Sequence, residues 1–371
     1  MCYLNTFYDY VGVVISTMLV FSCVYSCIES PKFMCHLNNC NTSKSTIMIS
    51  MFPRAVSIVC MLSKLTVMYN DLSATIKYEN NIKMYEMYHP RLDADKANFR
   101  IFVIVMASLC TIIVLPVNVL RIYLLYGQFR DGSMVLFFSI MYIQTASVCI
   151  TELQFIAHCF GLYQKYRSIN DDMAVLKSRT IVTNRYPAVL NPGKYNSIGD
   201  SSGFNDDFCQ EIKECQLVNS IESLKMRHRF VSDSASDLND TYNLQWGLSL
   251  FILLVMMLFD IYEVMITEFN MIEMNWILYV WLLQYSFRFC MIVLIIHVTT
   301  KQALKSKILI TDISNRYLDK NTKEEIQLFL NQMCSSAIEF TACDFFTLNN
   351  HLITSAIAAA TTYLVILLQF N

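Results

Sequence analysis

Seven apolar runs, each about the length of a membrane-crossing helix, leave this chain few folds to choose from. They cover residues 8–27, 47–68, 101–123, 134–158, 246–268, 275–298 and 351–370. A helix rises 1.5 Å per residue, so roughly 20 apolar residues match the ~30 Å hydrocarbon core of a bilayer. Inside that core only helices and closed barrels satisfy every backbone polar group. Composition agrees with the pattern, since 55% of the 371 residues are hydrophobic and 16% charged. The expectation is an all-α membrane protein with seven transmembrane helices. The second run is the weakest, because Pro53, Arg54, Ser57 and Lys64 interrupt it. Pro116 in the third run predicts a kink whose freed carbonyl needs a neighbour.

Basic residues set the orientation. Leaving out the long segment between the fourth and fifth runs, 11 Lys and Arg flank one side of the membrane and four the other. The positive-inside bias therefore predicts a cytoplasmic N-terminus and an extracellular C-terminus. An Asn41-Thr42-Ser43 sequon falls on the outer side, although a second at Asn239 falls on the inner. Seven spans with an inner N-terminus invert the topology of a G-protein-coupled receptor. The chain also lacks an Asp-Arg-Tyr-type motif after the third span, and its one Asn-Pro, Asn191-Pro192, is not in the seventh.

Other classes find little support. The net charge of −2 gives no nucleic-acid signal, and no Gly-rich phosphate loop, Ser/His/Asp arrangement or paired carboxylates at a credible spacing are present. No enzyme activity, cofactor or metal is expected. Of the 14 cysteines many lie inside apolar runs, as Cys60, Cys110, Cys149 and Cys290 do, and read as buried thiols. Cys35 and Cys40, with Cys27 nearby, form the one set placed to pair outside the cell. The N-terminus shows no basic region or cleavage site of a signal peptide.

The polar inner segments are of two kinds. Residues from about Ser178 to Phe208 are rich in Ser, Asn, Asp, Gly and Pro, which predicts a flexible loop. From Leu217 a heptad seam begins: Ile221, Leu224, His228, Val231, Ala235, Leu238 and Tyr242 follow in alternating steps of four and three. A second amphipathic helix carries Ile326, Leu330, Met333, Ala337 and Phe340 on one face. These helices either pack on each other within one subunit or join subunits. The organisation expected is helices one to four in 1–160, a cytosolic loop and helix in 161–245, helices five and six in 246–298, a cytosolic anchor helix in 299–345 and the last membrane helix in 346–371.

Ionisable residues within membrane spans are costly and imply pairing or function. Lys64 is placed to snorkel to the inner interface. Arg54 and Glu263 lie at comparable depth and are candidates for an ion pair. Arg288 lies near mid-membrane, where Asp260 or Glu152 is placed to neutralise it. Toward the outer ends of spans three to six stand Asn118, Tyr142, Gln144, Tyr262, Trp276, Tyr279 and Trp281. With Glu263 these are candidate ligand-binding residues, the alternative for the aromatics being an interfacial belt.

The last run has a pattern of its own. Ser355, Thr362 and Gln369 recur every seven residues, with Ala358, Ala359, Val365 and Ile366 on the same strip and Tyr363 and Phe370 on the next. Polar groups facing lipid are costly, so this stripe faces other helices or a pore.

The C-terminus resembles one family. Thr362-Tyr363, five apolar residues from Leu364 to Leu368, and Gln369-Phe370 are similar to the TYhhhhhQF signature of insect gustatory receptors. The Phe345 to Asn349 and Ile353 to Ala360 stretches, and His228 with Leu238 to Trp246, resemble the same family. The resemblance implies a ligand-gated, non-selective cation channel of the plasma membrane, assembled as a homo- or hetero-tetramer and related to insect odorant receptors. It implies a pore wall built from the last helix, with Gln369 and Phe370 at the gate and Thr362, Tyr363, Val365 and Ile366 along the wall. Its expected partners are a small tastant (a bitter or contact chemical before a sugar), cations and the lipid bilayer. The alternatives are a non-conducting subunit that modifies other receptors, and a secondary transporter, for which inverted repeats or broken helices are lacking.

Overall fold

A computed structural model describes residues 2–37, 44–90, 93–129, 132–184, 203–266, 272–314, 318–335, 338–342 and 346–369. Among them are eight α-helices: α1 (Cys2–Leu37), α2 (Lys44–Tyr88), α3 (Asp93–Phe129), α4 (Gly132–Asn184), α5 (Gly203–Ile266), α6 (Ile272–Ser314), α7 (Lys320–Ser335) and α8 (Asn350–Gln369). Two short antiparallel strands, β1 (Thr341–Ala342) and β2 (Phe346–Thr347), lie between α7 and α8 and pair Thr341 with Thr347 and Ala342 with Phe346.

Five helices are long and apolar enough to cross a membrane on their own: α1, α3, α4, α5 and α6. The other two spans are α2, diluted by its polar residues, and the shorter apolar α8. Most spans extend far beyond a bilayer's thickness. The α4 helix has 53 residues and α5 has 64, against the roughly 20 that a bilayer needs. The excess continues on one side of the bundle as a second helical layer. The loop expected over residues 178–208 gives way to helix at both ends, because α4 continues to Asn184 and α5 starts at Gly203, and residues 185–202 lie outside the described residues. Helix propagation needs only one hydrogen bond per added residue once the membrane segment has nucleated it.

The heptad seam resolves to packing within the subunit. Ile221, Leu224, Val231, Ala235 and Leu238 are buried in one core with Tyr166, Ile169 and Met173 of α4 and Ile310 and Ile313 of α6. From α7 come Ile326, Phe329 and Met333, so Phe329 takes the deep position expected of Leu330, which is half-buried. Ala337 lies outside the described residues. His228 stands where three helices meet, its ring 5.6 Å from that of Tyr166 and 5.5 Å from that of Phe329. Burial pushes its pKa down to about 4, so the imidazole is neutral at physiological pH.

Ionic and polar ties brace the rim of this layer. Arg227 Nη1 donates to Asp172 Oδ2 at 2.6 Å, Lys225 Nζ to Glu325 Oε2 at 2.6 Å, and Lys177 Nζ to Asp312 Oδ2 at 2.7 Å. Between α4 and α6, Ser306 Oγ donates to Asn170 Oδ1 at 2.6 Å, and Asn170 Nδ2 donates to the Gln302 carbonyl at 2.8 Å. Above them the membrane bundle is held by α2 packing on α5 and α1, and by α4 packing on α6.

Candidate functional site

The polar stripe on α8 is left open by the described residues of its own subunit. The helix leans on α5 and α6 through Ala356, which is buried, and through half-buried Leu352, Ile353, Ala360 and Leu364. These positions recur at helical spacing, so they define one face. Ser355, Ala358, Ala359, Thr362, Val365, Ile366 and Gln369 lie on the opposite side and are exposed, as is Tyr363 at 60%. The Thr362 hydroxyl donates back to the Ala358 carbonyl at 2.9 Å. Thr362 therefore spends its donor on its own helix and keeps its oxygen lone pairs for the open face. Phe370 lies outside the described residues.

A second polar assembly sits inside the bundle. Arg288 on α6 donates from Nε to Glu152 Oε2 at 2.8 Å and from Nη2 to Glu152 Oε1 at 2.7 Å, a two-pronged bond with α4. Both side chains are under 10% exposed, at 8% and 3%. Of the two carboxylates expected to neutralise Arg288, Glu152 makes the pair. Beside it a partly open cleft lies between α2, α4, α5 and α6. Val56, Val59, Val148, Ile252, Leu253 and Met256 form its apolar walls, and Thr145, Ser249, Tyr285 and Arg288 supply its polar groups. Ser249 Oγ is buried with no hydrogen-bond partner among the described residues. A mostly apolar cleft with a few converging polar groups is the usual form of a small-molecule site.

The six ligand-binding candidates whose side chains are described, Asn118, Tyr142, Gln144, Tyr262, Tyr279 and Trp281, do not line this cleft. Gln144 is fully buried, and its amide is spent on structure: Nε2 donates to Ser22 Oγ and Ser26 Oγ at 3.1 Å, and Oε1 accepts from Ser57 Oγ at 2.9 Å. It ties α1, α2 and α4 together. Tyr142 packs with Phe137 and Phe138 and lies near Arg121. Arg121 also lies 5.5 Å from the ring centre of Trp281. Asn118 is buried, Tyr262 is half-buried, and Tyr279 is 55% exposed on the outer surface. The side chains of Glu263 and Trp276 lie outside the described residues, and with Glu263 the expected pair with Arg54. The sequence missed Ser249 because one hydroxyl in an apolar span carries no signal. Its spacing of four from Gln245, another buried polar residue of α5, was the available hint.

Lys64 does not snorkel. It is half-buried and points inward, its Nζ 3.4 Å from Thr151 Oγ1 on α4. The physical reason is depth: Cys27 contacts the Arg54 carbonyl, and this antiparallel register puts Lys64 opposite the middle of α1. Cys27 is a free thiol, and the side chains of Cys35 and Cys40 lie outside the described residues.

A family profile described as 7tm Chemosensory receptor matches residues 2–371. No curated protein matches the sequence. Among solved structures the chain is similar to the insect olfactory receptor OR5 from Machilis hrabei, with a TM-score of 0.67 and 11% identity over 100% of this chain and 99% of that one. It is also similar to the same receptor in complex with eugenol, with a TM-score of 0.63 and 11% identity over 96% of this chain and 89% of that one. At such identity these likenesses concern the fold, a seven-helix membrane fold that the two share. With the family profile matched over nearly its whole length, the chain belongs to the insect 7tm chemosensory receptor family and is a multi-pass plasma-membrane protein.

Proposed function

We propose that this chain is a gustatory-type receptor subunit, four of which form a ligand-gated cation channel with α8 around a central pore. The observation that carries the reading is the open polar stripe of α8. Among the described residues no helix of the subunit covers its Ser355, Thr362 and Gln369, yet polar groups do not face lipid without cost. Other copies of the same helix around a water-filled axis resolve that cost. Segments 161–245 and 299–345 then form the cytosolic anchor, and 346–371 the pore-lining segment.

The ligand is a small tastant held in the cleft among α2, α4, α5 and α6. The solved olfactory receptor bound to eugenol, a small organic molecule, supports ligands of that kind for this fold. A ligand that binds the open state better shifts the equilibrium by its differential affinity. The cleft is lined by α5 and α6, the two helices that also back α8, so a change in their spacing moves the pore wall directly. Phe370, one residue beyond the described end of α8, is the candidate gate with Gln369.

Electrical recording tests this, with the chain expressed alone and with other receptors of the family against a panel of bitter compounds and sugars. Ligand-evoked cation current is expected, and Gln369→Ala should change unitary conductance or gating while the oligomer stays intact. A silent chain that alters the currents of other receptors would instead identify a modifying subunit. Transport at carrier rates without channel events would overturn the pore.

A further inference from the structure

The polar groups of the cleft beside the Arg288–Glu152 pair differ in what they have left to give. Thr145 Oγ1 donates to the Met141 carbonyl of its own helix at 3.1 Å, so only its lone pairs remain. Ser249 Oγ is buried with no hydrogen-bond partner among the described residues. A buried hydroxyl in that state destabilises a fold unless something completes it. Arg288 gives Nε and Nη2 to Glu152, and Nη1 takes no part in that pair although the side chain lines the cleft. The polar wall is therefore weighted toward donors, and its one cation is already neutralised.

We infer that the cleft, taken as the ligand site proposed above, selects an uncharged, mostly apolar molecule with one hydrogen-bond-accepting oxygen, held between Ser249 and Arg288. Ketones, esters and aryl ethers have this chemistry. A carboxylate would compete with Glu152 for a single guanidinium and leave a second negative charge buried without a partner. An ammonium would meet Arg288 in a lining that contains no carboxylate, since Asp260, one turn past Met256 on α5, does not line the cleft. A sugar carries a hydroxyl on nearly every carbon, and six of the ten lining side chains are apolar, so most of those hydroxyls would lose water for nothing. A hydrocarbon of the same shape fits the walls but leaves Ser249 unpaired. The single acceptor completes that hydroxyl while the rest of the molecule stays against apolar wall.

The test uses the full chain in lipid nanodiscs, illuminated with benzophenone, an apolar ketone that inserts into nearby C–H bonds, with labelled peptides read by mass spectrometry. Saturable labelling of α5 around Met256 is expected. Acetophenone should displace it at least about tenfold better than ethylbenzene, benzoate or benzylamine, which keep the ring and change only the polar group. Ser249→Ala should cut the advantage of acetophenone over ethylbenzene by at least about threefold without lowering the thermal midpoint, because the hydroxyl it deletes has no partner in the fold. Equal displacement by ethylbenzene would overturn the inference, as would labelling confined to residues outside the cleft. Better displacement by benzoate would mean that Glu152 yields Arg288 to a ligand, and better displacement by benzylamine would bring Asp260 into the site; either result also overturns it. Electrical recording is independent of this outcome. Evoked currents without ketone binding would leave the channel standing and remove this ligand class, and ketone binding in a chain that never conducts would do the reverse.

Discussion

Replacing Arg288 with Leu should cost the subunit about 3–5 kcal/mol, because it strands the Glu152 carboxylate inside the bundle. The pair is under 10% exposed on both sides and joined by two bonds of 2.7–2.8 Å. Removing the guanidinium leaves two acceptor oxygens with neither water nor donor. Arg288→Lys should recover only part of the loss, since an ammonium cannot reproduce the planar two-pronged fit. The double variant Arg288→Met with Glu152→Leu should restore most of the stability, because it removes both charges at similar volume. Buried ion pairs replaced in this way are often neutral or stabilising. The thermal midpoint and the monodisperse fraction of detergent-solubilised protein measure all three. A single Leu variant as stable as the parent would mean that Glu152 is solvated or paired elsewhere. Because Arg288 also lines the cleft, a stable double variant with an altered ligand response separates the two roles of this side chain.

Charging the α5 seam should abolish the folded subunit, leaving no folded monomer behind. Leu224 and Leu238 are 5% and 4% exposed inside one chain. Leu224→Asp buries an unpaired carboxylate among apolar side chains, which costs several kcal/mol even where the group neutralises itself. Leu224→Ala, which only removes volume, should cost about 2–5 kcal/mol. Ser236→Lys, on the exposed side of the same helix, should stay within roughly 0.5 kcal/mol of the parent. Size-exclusion profiles and protease resistance in native membranes distinguish the outcomes. A well-folded monomer carrying Leu224→Asp would return the seam to the interface between subunits.

The sequence speaks plainly where a pattern repeats. Seven apolar runs imposed the membrane helices, and the seam from Leu217 predicted an α5 that continues far below the bilayer. Periodicity could not say which surface that seam would meet, because an apolar stripe is the same whether its partner is α4, α7 or another copy. The extension of α4 to Asn184 was hidden by Ser and Asn residues, whose weak helix propensity is overridden by the helix preceding them. Single polar residues were least legible. Gln144 has the type and depth of a ligand contact, yet Ser22, Ser26 and Ser57 from two other helices consume its amide. Lys64 has the long stem of a snorkelling residue, and only the register of α1 against α2 shows how deep it lies. The cleft draws one or more residues from each of four helices, a convergence with no period in the chain.

The α8 helix decides the functional account. Its half-buried face toward α5 and α6 and its open polar stripe are both present in a single subunit, and the proposed arrangement of four copies around an axis would give that stripe a use. Cysteine substitution along α8, probed with a water-soluble thiol reagent during recording, tests this directly. Thr362→Cys, Val365→Cys and Ile366→Cys should be modified and lose current, while Leu352→Cys and Ala360→Cys on the bundle-facing side should not. Currents indifferent to the reagent at all three open-face positions would contradict the pore.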